Sequence, residues 1–577
     1  VKLILSFIIF LVAGVFITYP WAFHLTTLTT GYGDNFIYAW IHTWIIESIL
    51  SGNIHNIFTT NIFYPYQIGP ASSDPNIITA IFSIIPYLIT KEPIITNNFI
   101  VISSVVLTGF SLYLLAYRIT KDFFASMFAG ILVIFSPAYL SFYAHLQMLF
   151  IVLTPLSLLF FINFMKRKKT KHFVISLIFL LLQTYNNFLA GYFILFSYLI
   201  IFFFNWLNNK KEAIKAISKK NILIFIFFIS LIIPIMIPYF KISKEFGYVR
   251  TLKDTVHFAI QPEDMLYSSD FSKLDLTLNS LPINRVSQNN EFKPGFLGAM
   301  FSILLIFSFI YAFKNLKRKN VNLNSFLSIS ILGFTLSLGP VLHLGRQTIH
   351  DPFIIPLPYA LFYYLIPGFQ GFRNSARWEM LFIIGAAVVI AIVLSKILEG
   401  QDKARKFIIY SLLILGCVAE LRFPMKLISM PIVKDFPPEH HWLSTTPKDT
   451  IYLEMPVYNW NMTKYATIEL WRLYYSTINY RRTMNGGGGF TPEPWQKMAY
   501  NLDETFPSNK TITQLKSMGL DYIIVHKDQF DTLSQDQFQI NNKSIKNGDV
   551  IIKELNKNSN LKLIKKFGNT YVYEFNF

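Results

Sequence analysis

Long apolar stretches separated by short basic runs set the pattern of roughly the first 420 residues. The windows 3–19, 95–117, 122–143, 147–165, 172–188, 190–206, 221–240, 295–313, 323–342, 376–395 and 407–421 are each predominantly apolar. A bilayer core requires roughly 20 such residues per helix. The pattern therefore predicts an α-helical polytopic membrane protein with about 11 spanning helices. The first stretch runs from Lys2 into Tyr19-Pro20-Trp21 with no small-residue cleavage pattern, and reads as an uncleaved anchor. Two shorter apolar stretches, 36–50 and 77–90, are too short to span and rich in Trp and Tyr, so they are expected to lie at the membrane interface.

After Pro424 the pattern changes. Polar residues, Pro and Gly return, with β-like runs at Ile451-Tyr452-Leu453, Tyr522-Ile523-Ile524-Val525 and Tyr571-Val572-Tyr573 and helical patterns near 494–503 and 511–518. The expected organisation is a transmembrane domain over 1–424, with outer loops 20–94, 241–294 and 343–375, followed by a soluble extracytoplasmic α/β domain over 425–577.

Composition supports lipid as the main solvent. The 577 residues are 53% hydrophobic and 17% aromatic, with a mean hydropathy of +0.41. Only 15% are charged, against about 25% in soluble proteins. The net charge of +18 suggests nucleic acid at first sight. The basic residues, however, fall in short runs between apolar stretches, as at Lys166–Lys171 and Lys210–Lys220, so topology explains them and no nucleic-acid partner is expected. Residues 21–90 contain no Lys or Arg. This asymmetry predicts a plasma-membrane protein with a cytoplasmic N-terminus and an extracytoplasmic C-terminus. The single cysteine, Cys417, excludes an internal disulfide, a Cys-based zinc site and a CxxC motif.

Polar residues gather on the predicted outer side. Asp34 stands at the start of the helix predicted after the first span, with Tyr38 one turn on and His42 two turns on. Asp is a preferred helix N-cap; partial burial would instead raise its pKa towards that of a general base. His145 and Gln147 lie at one outer turn and Tyr185-Asn186-Asn187 at the next, where a shared cavity with Asp34 is possible. Arg373 and Arg377, four apart, fall on one helical face and suit a lipid phosphate, or snorkelling to headgroups. Arg346, with His343 and His350, lies in the same outer loop. No His-x-x-x-His spacing supports a metal, so no cofactor is predicted, although a divalent metal is not excluded. Gly486–Gly489 lacks a following Lys-Ser/Thr and reads as a flexible turn, and Glu454 ends a predicted strand where a structural role serves equally.

The run Gly33-Asp34-Asn35-Phe36-Ile37-Tyr38-Ala39-Trp40, with Asn61-Ile62-Phe63-Tyr64-Pro65-Tyr66, resembles the first outer loop of a large family of bacterial multi-spanning proteins. Further matches are Ser136-Pro137, His145-Leu146-Gln147, Pro367–Arg373 with Ala376-Arg377, Leu453–Pro456, Tyr475-Ser476-Thr477 and Asn485-Gly486. That family is similar in layout to the GT-C glycosyltransferases. The resemblance implies a catalytic Asp in the first outer loop, at Asp34, and a polyprenyl-phosphate sugar as donor. The acceptor, a glycan, lipid or protein, would be attacked at the outer face of the membrane. Ser73-Asp74 matches a Ser-Glu pair of many relatives, with a shorter carboxylate, and implies substrate binding by Asp74. The rival reading is a non-enzymatic membrane protein, such as a lipid-intermediate transporter or envelope assembly factor. It calls for ionisable residues deep in spans, which are few here.

Overall fold

A computed structural model describes residues 2–31, 34–266, 272–273, 295–314, 320–344, 347–348, 353–422, 425–458, 462, 464–540 and 543–576. A helix covers most of each of the eleven apolar windows. Four are long and apolar enough to cross a membrane: Ile94–Thr120, Leu146–Arg167, Phe188–Asn208 and Ser375–Ile397. Two bent pairs, Phe123–Ile134 with Pro137–Ala144 and Lys219–Ser230 with Ile233–Phe246, bring the number to six. The chain is a membrane protein. Each bend sits at a proline near a helix start. Pro137 lacks an N–H and holds Ser136 extended (ψ 126°), and Pro234 is the second residue of its helix.

The chain divides into two compact units that differ from the predicted division at 424/425. A helical unit holds 1–24, 98–236 and 249–427; a mixed unit holds 25–97, 237–248 and 428–577. Residues 25–97 and 237–248, expected in the first two outer loops, therefore group with the C-terminal part. In the helical unit, Val321–Ser337 packs closely on Glu379–Ile397 through small residues. A Cβ on Gly333 would lie 2.3 Å from the Phe382 amide nitrogen, and one on Gly385 2.7 Å from that of Ser330.

The mixed unit is built on five strands: β1 (Ile451–Met455), β2 (Arg482–Thr483), β3 (Tyr522–His526), β4 (Leu561–Phe567) and β5 (Thr570–Phe575). Their order is β4-β5-β3-β1-β2. β1 runs parallel to β2 and β3, whereas β5 is antiparallel to β3 and β4. The first loop extends this sheet at β2. Thr483 N–H donates to the Asn61 carbonyl (2.7 Å), Tyr64 N–H to the Thr483 carbonyl (2.9 Å) and Phe63 N–H to the Asn485 carbonyl (3.0 Å). The Asn61 side chain donates to the Arg481 carbonyl and accepts from Trp40 Nε1, each at 3.3 Å. The motif Asn61–Pro65 is thus an assembly element that adds a strand edge to a sheet made hundreds of residues later.

Two expectations are corrected here. The helix α1 (Asp34–Leu50) does not lie at an interface. It is apolar on every side, as a buried helix must be, and most of its residues are buried in one core with Leu453, Ile523 and Tyr573. Phe36 packs on Trp471 with ring centroids 4.3 Å apart. The run Gly486–Gly489 is not a flexible turn, because it is packed against Phe63, Leu470 and Ser72. A Cβ on Gly486 would lie 2.5 Å from the ring of Phe63. That ring is fully buried and meets Trp495 edge-on at 5.1 Å, so it cannot withdraw. Gly486→Ala is therefore expected to destabilise the protein by about 1–3 kcal/mol, read as a lowered thermal midpoint in detergent.

Candidate functional site

In the mixed unit, Asp34 is the first residue of α1 and half-buried. Its neighbour Asn35 donates through its side chain to the Thr30 carbonyl and, at 3.2 Å, to Thr30 Oγ1. Helices α2 (Ile77–Phe82) and α3 (Ile84–Thr90) lie along α1. His42 Nε2 bonds Thr79 Oγ1 of α2 at 3.0 Å, and Tyr87 of α3 donates to Glu47 of α1 at 3.2 Å. Tyr38 is 2% exposed and His42 fully buried. Both were expected to bind substrate, and both lie packed within the mixed unit. Asp74 is half-buried, its carbonyl accepts from Asn76 (2.7 Å), and the carbonyl of its neighbour Ser73 accepts from Tyr239 (2.9 Å).

Burial pushes the His42 imidazole down to about 3. An unfolded chain takes up a proton near 6.5 that the folded chain refuses. The stability due to neutral His42 is thus complete above 6.5 and is lost as pH falls towards 3, by about 1.4 kcal/mol per pH unit. Thermal unfolding of wild type and His42→Gln at pH 7 and 4.5 should show the gap between them narrowing at the lower pH.

The helical unit gathers three of the remaining candidates. The break at Ser136-Pro137 turns the chain towards His145, with Ser136 Oγ donating to the Leu297 carbonyl at 2.8 Å. Pro367–Arg373 folds around Phe369, which is fully buried and meets Tyr192, Tyr359 and Trp378 at 5.5–5.6 Å. This aromatic hub sets the course of the segment that carries the arginines. Arg373 lies over the Phe258 ring, 4.6 Å from its centroid. The loop bearing Phe258 is in turn tied to the arginine segment: Ser375 Oγ donates to the Thr255 carbonyl (3.0 Å) and Ala376 N–H to the Phe258 carbonyl (3.3 Å). Arg377 stands in the turn Ser375–Trp378 that opens the helix. Burial, with Arg377 and Arg373 adding to it, drives His145 down to about 3, so its imidazole is neutral at neutral pH. Two guanidiniums beside a neutral imidazole suit an anionic oxygen group such as a phosphate.

Gln147 is 3% exposed, and its carbonyl accepts from Asn187 Nδ2 at 2.9 Å. That bond ties its backbone to the next turn. Arg346 and His350 lie outside the described residues. Asp34, Tyr38, His42 and Asp74 belong to the mixed unit, and His145, Gln147, Arg373 and Arg377 to the helical one. Among the described residues, no group of three or more His, Cys, Asp or Glu is placed to hold a metal ion.

Sequence reasoning missed Phe258 as the seat of Arg373, for which no local signal exists. It also missed a buried ionic network in the mixed unit. Glu454 Oε2 accepts from His526 Nε2 (2.9 Å), and Arg472 Nη1 donates to Glu469 Oε1 (2.7 Å) while Arg472 Nε lies 3.4 Å from Glu454. Burial alone would raise the Glu454 carboxyl, but His440, His526 and Arg472 outweigh it and hold it at about 2. The network encloses a cavity of about 10 Å³, the scale of one water molecule and far below a sugar.

No protein-family model matches this sequence, and no curated protein sequence matches it. Among solved structures, the arabinofuranosyltransferase AftD from Mycobacteria superposes on 99% of this chain and 41% of its own, at 11% identity and a TM-score of 0.53. The Archaeoglobus fulgidus oligosaccharyltransferase in its apo form matches over 92% of this chain and 70% of its own, at 13% identity and a TM-score of 0.49. In complex with Zn and sulfate, that enzyme matches over 91% and 68%, at 14% identity and a TM-score of 0.48. The likeness to the arabinofuranosyltransferase is one of fold. This chain has a GT-C-like membrane fold and spans less than half the length of that protein.

Proposed function

We propose that this protein is a membrane glycosyltransferase that moves a sugar from a polyprenyl-phosphate donor to an envelope acceptor at the outer face of the plasma membrane. The observation that carries the reading is a GT-C-like fold extending over nearly the whole chain, with a half-buried carboxylate at the opening of the first loop helix. Asp34 takes the proton of the acceptor hydroxyl as that oxygen attacks the anomeric carbon. The bond from that carbon to the phosphate oxygen breaks with inversion, and polyprenyl phosphate leaves with the electron pair. Arg373 and Arg377 hold the phosphate on which charge develops, and Asp74 contributes to substrate binding. The C-terminal domain binds the acceptor or caps the site.

The test is transfer of radiolabel from a polyprenyl-phosphate sugar to membrane extract by the purified protein in lipid. Arg373→Ala and Arg377→Ala are each expected to lower the rate by about 10²–10³-fold, the usual effect of removing one electrostatic partner of the transition state. Donor carried across the bilayer with no new glycosidic bond would replace this reading with a transporter.

A further inference from the structure

On the side predicted to be cytoplasmic, the helical unit gathers a cluster of cations that the proposed chemistry does not use. Arg118 lies close to the end of the span Ile94–Thr120, and Arg167 is the last residue of Leu146–Arg167. Both bear electrostatically on His172, as do Lys169 and Lys171. Arg118 and Arg167, with Lys166, bear in the same way on Lys121. Among the described residues none of these six cations forms an ion pair. The acids of neighbouring segments are taken elsewhere, Asp122 by Lys406 (2.6 Å) and Glu212 by Lys215.

Positive charge at a membrane edge is common; what sets this cluster apart is its centre. His172 is 8% exposed, and among the described residues neither of its ring nitrogens has a hydrogen-bond partner. A neutral imidazole carries one N–H, and a buried donor left without an acceptor is destabilising. Arg118 is prepared in the same sense. The buried Asn163 accepts from its Nε and orients the guanidinium, which leaves the Nη pair for an acceptor from outside. The helix Thr170–Asn186 also begins here with no side-chain cap, so its first-turn amides add to the positive field. Snorkelling accounts for lysines that reach water, but not for a covered imidazole ringed by four cations. Donors of three kinds with no acid among them call for an anion of several oxygens, and at the level of two span ends that anion is a lipid phosphate.

We propose that Arg118, Arg167, Lys169, Lys171 and His172 bind the phosphate of an anionic lipid headgroup in the leaflet opposite the predicted outer face. The site ties the ends of two spans to the start of a third helix, and it stands whether or not the chain is a transferase.

Native mass spectrometry of the full chain in detergent, with phosphatidylglycerol or phosphatidylcholine added, tests this. Wild type is expected to retain phosphatidylglycerol under activation that strips phosphatidylcholine. Arg118→Gln/Arg167→Gln should lower the phosphatidylglycerol affinity about thirtyfold, the usual effect of losing two basic contacts to an anionic headgroup. Lys210→Gln/Lys211→Gln removes the same charge from the next basic run and should leave the affinity within about threefold. His172→Phe keeps every charge and drops only the ring nitrogens; it should lower the affinity about tenfold even where the arginine pair fails to fold. Equal retention of the two lipids, equal losses from the two double variants, or an unchanged affinity in His172→Phe would overturn the proposal. So would displacement of the lipid by millimolar inorganic phosphate, which would mark a site for a soluble phosphate compound.

Discussion

Asp34→Asn is expected to lower the rate of sugar transfer by about 10²–10⁴-fold, the usual contribution of a positioned general base, while the thermal midpoint stays nearly unchanged. The substitution separates two roles that an aspartate at a helix start can hold. Asn serves the orphan amides of a first turn about as well as Asp. The favourable contact of a negative charge with the helix dipole is lost, worth about 0.3–1 kcal/mol. Proton acceptance, in contrast, is removed entirely. The initial rate with radiolabelled polyprenyl-phosphate sugar is the measurement, with unfolding followed in the same detergent. Transfer at the wild-type rate would leave Asp34 a cap and nothing more.

The second large effect falls on stability. Arg472 is 5% exposed, and its guanidinium serves Glu469 Oε1 (2.7 Å), the Pro456 carbonyl (2.8 Å) and Gln529 Oε1 (2.8 Å) while facing Glu454. Arg472→Met fills similar space but leaves two buried carboxylates without their shared cation. Removing one member of a buried pair costs about 3–5 kcal/mol, enough to consume much of a domain's stability. Urea or thermal unfolding should show the loss, and the added change Glu469→Gln should return part of it by removing one of the stranded charges. A midpoint within a degree of wild type would mean that the network contributes nothing.

What the sequence disclosed follows from the range of the interactions involved. The helices Ile94–Thr120 and Ser375–Ile397 and the strands Ile451–Met455 and Tyr522–His526 declare themselves through runs of apolar residues, a local property. Helix α1 was misread because an apolar run of interfacial length looks the same whether lipid or protein surrounds it. The pairing of Asn61–Tyr64 with the residues after Arg481 joins segments remote in sequence, and no local pattern encodes it. Likewise, the arginines at 373 and 377 were visible from their spacing, whereas their nearness to His145 is a product of tertiary folding. Arg472 lies in the short helix Thr467–Tyr475, and only the fold turns it inward.

The edge pairing of Asn61 has a consequence for biogenesis. Its side-chain bond to the Arg481 carbonyl links residues 420 positions apart. At the usual pace of about 5–20 residues per second, a nascent chain would wait roughly 20–80 s between the emergence of the two partners. Throughout that interval an unpaired backbone rim and a Trp-rich helix have no mate. Cells making this protein thus need something to shelter the early segment, and truncations that stop before residue 480 should be found as protease-sensitive or aggregated products.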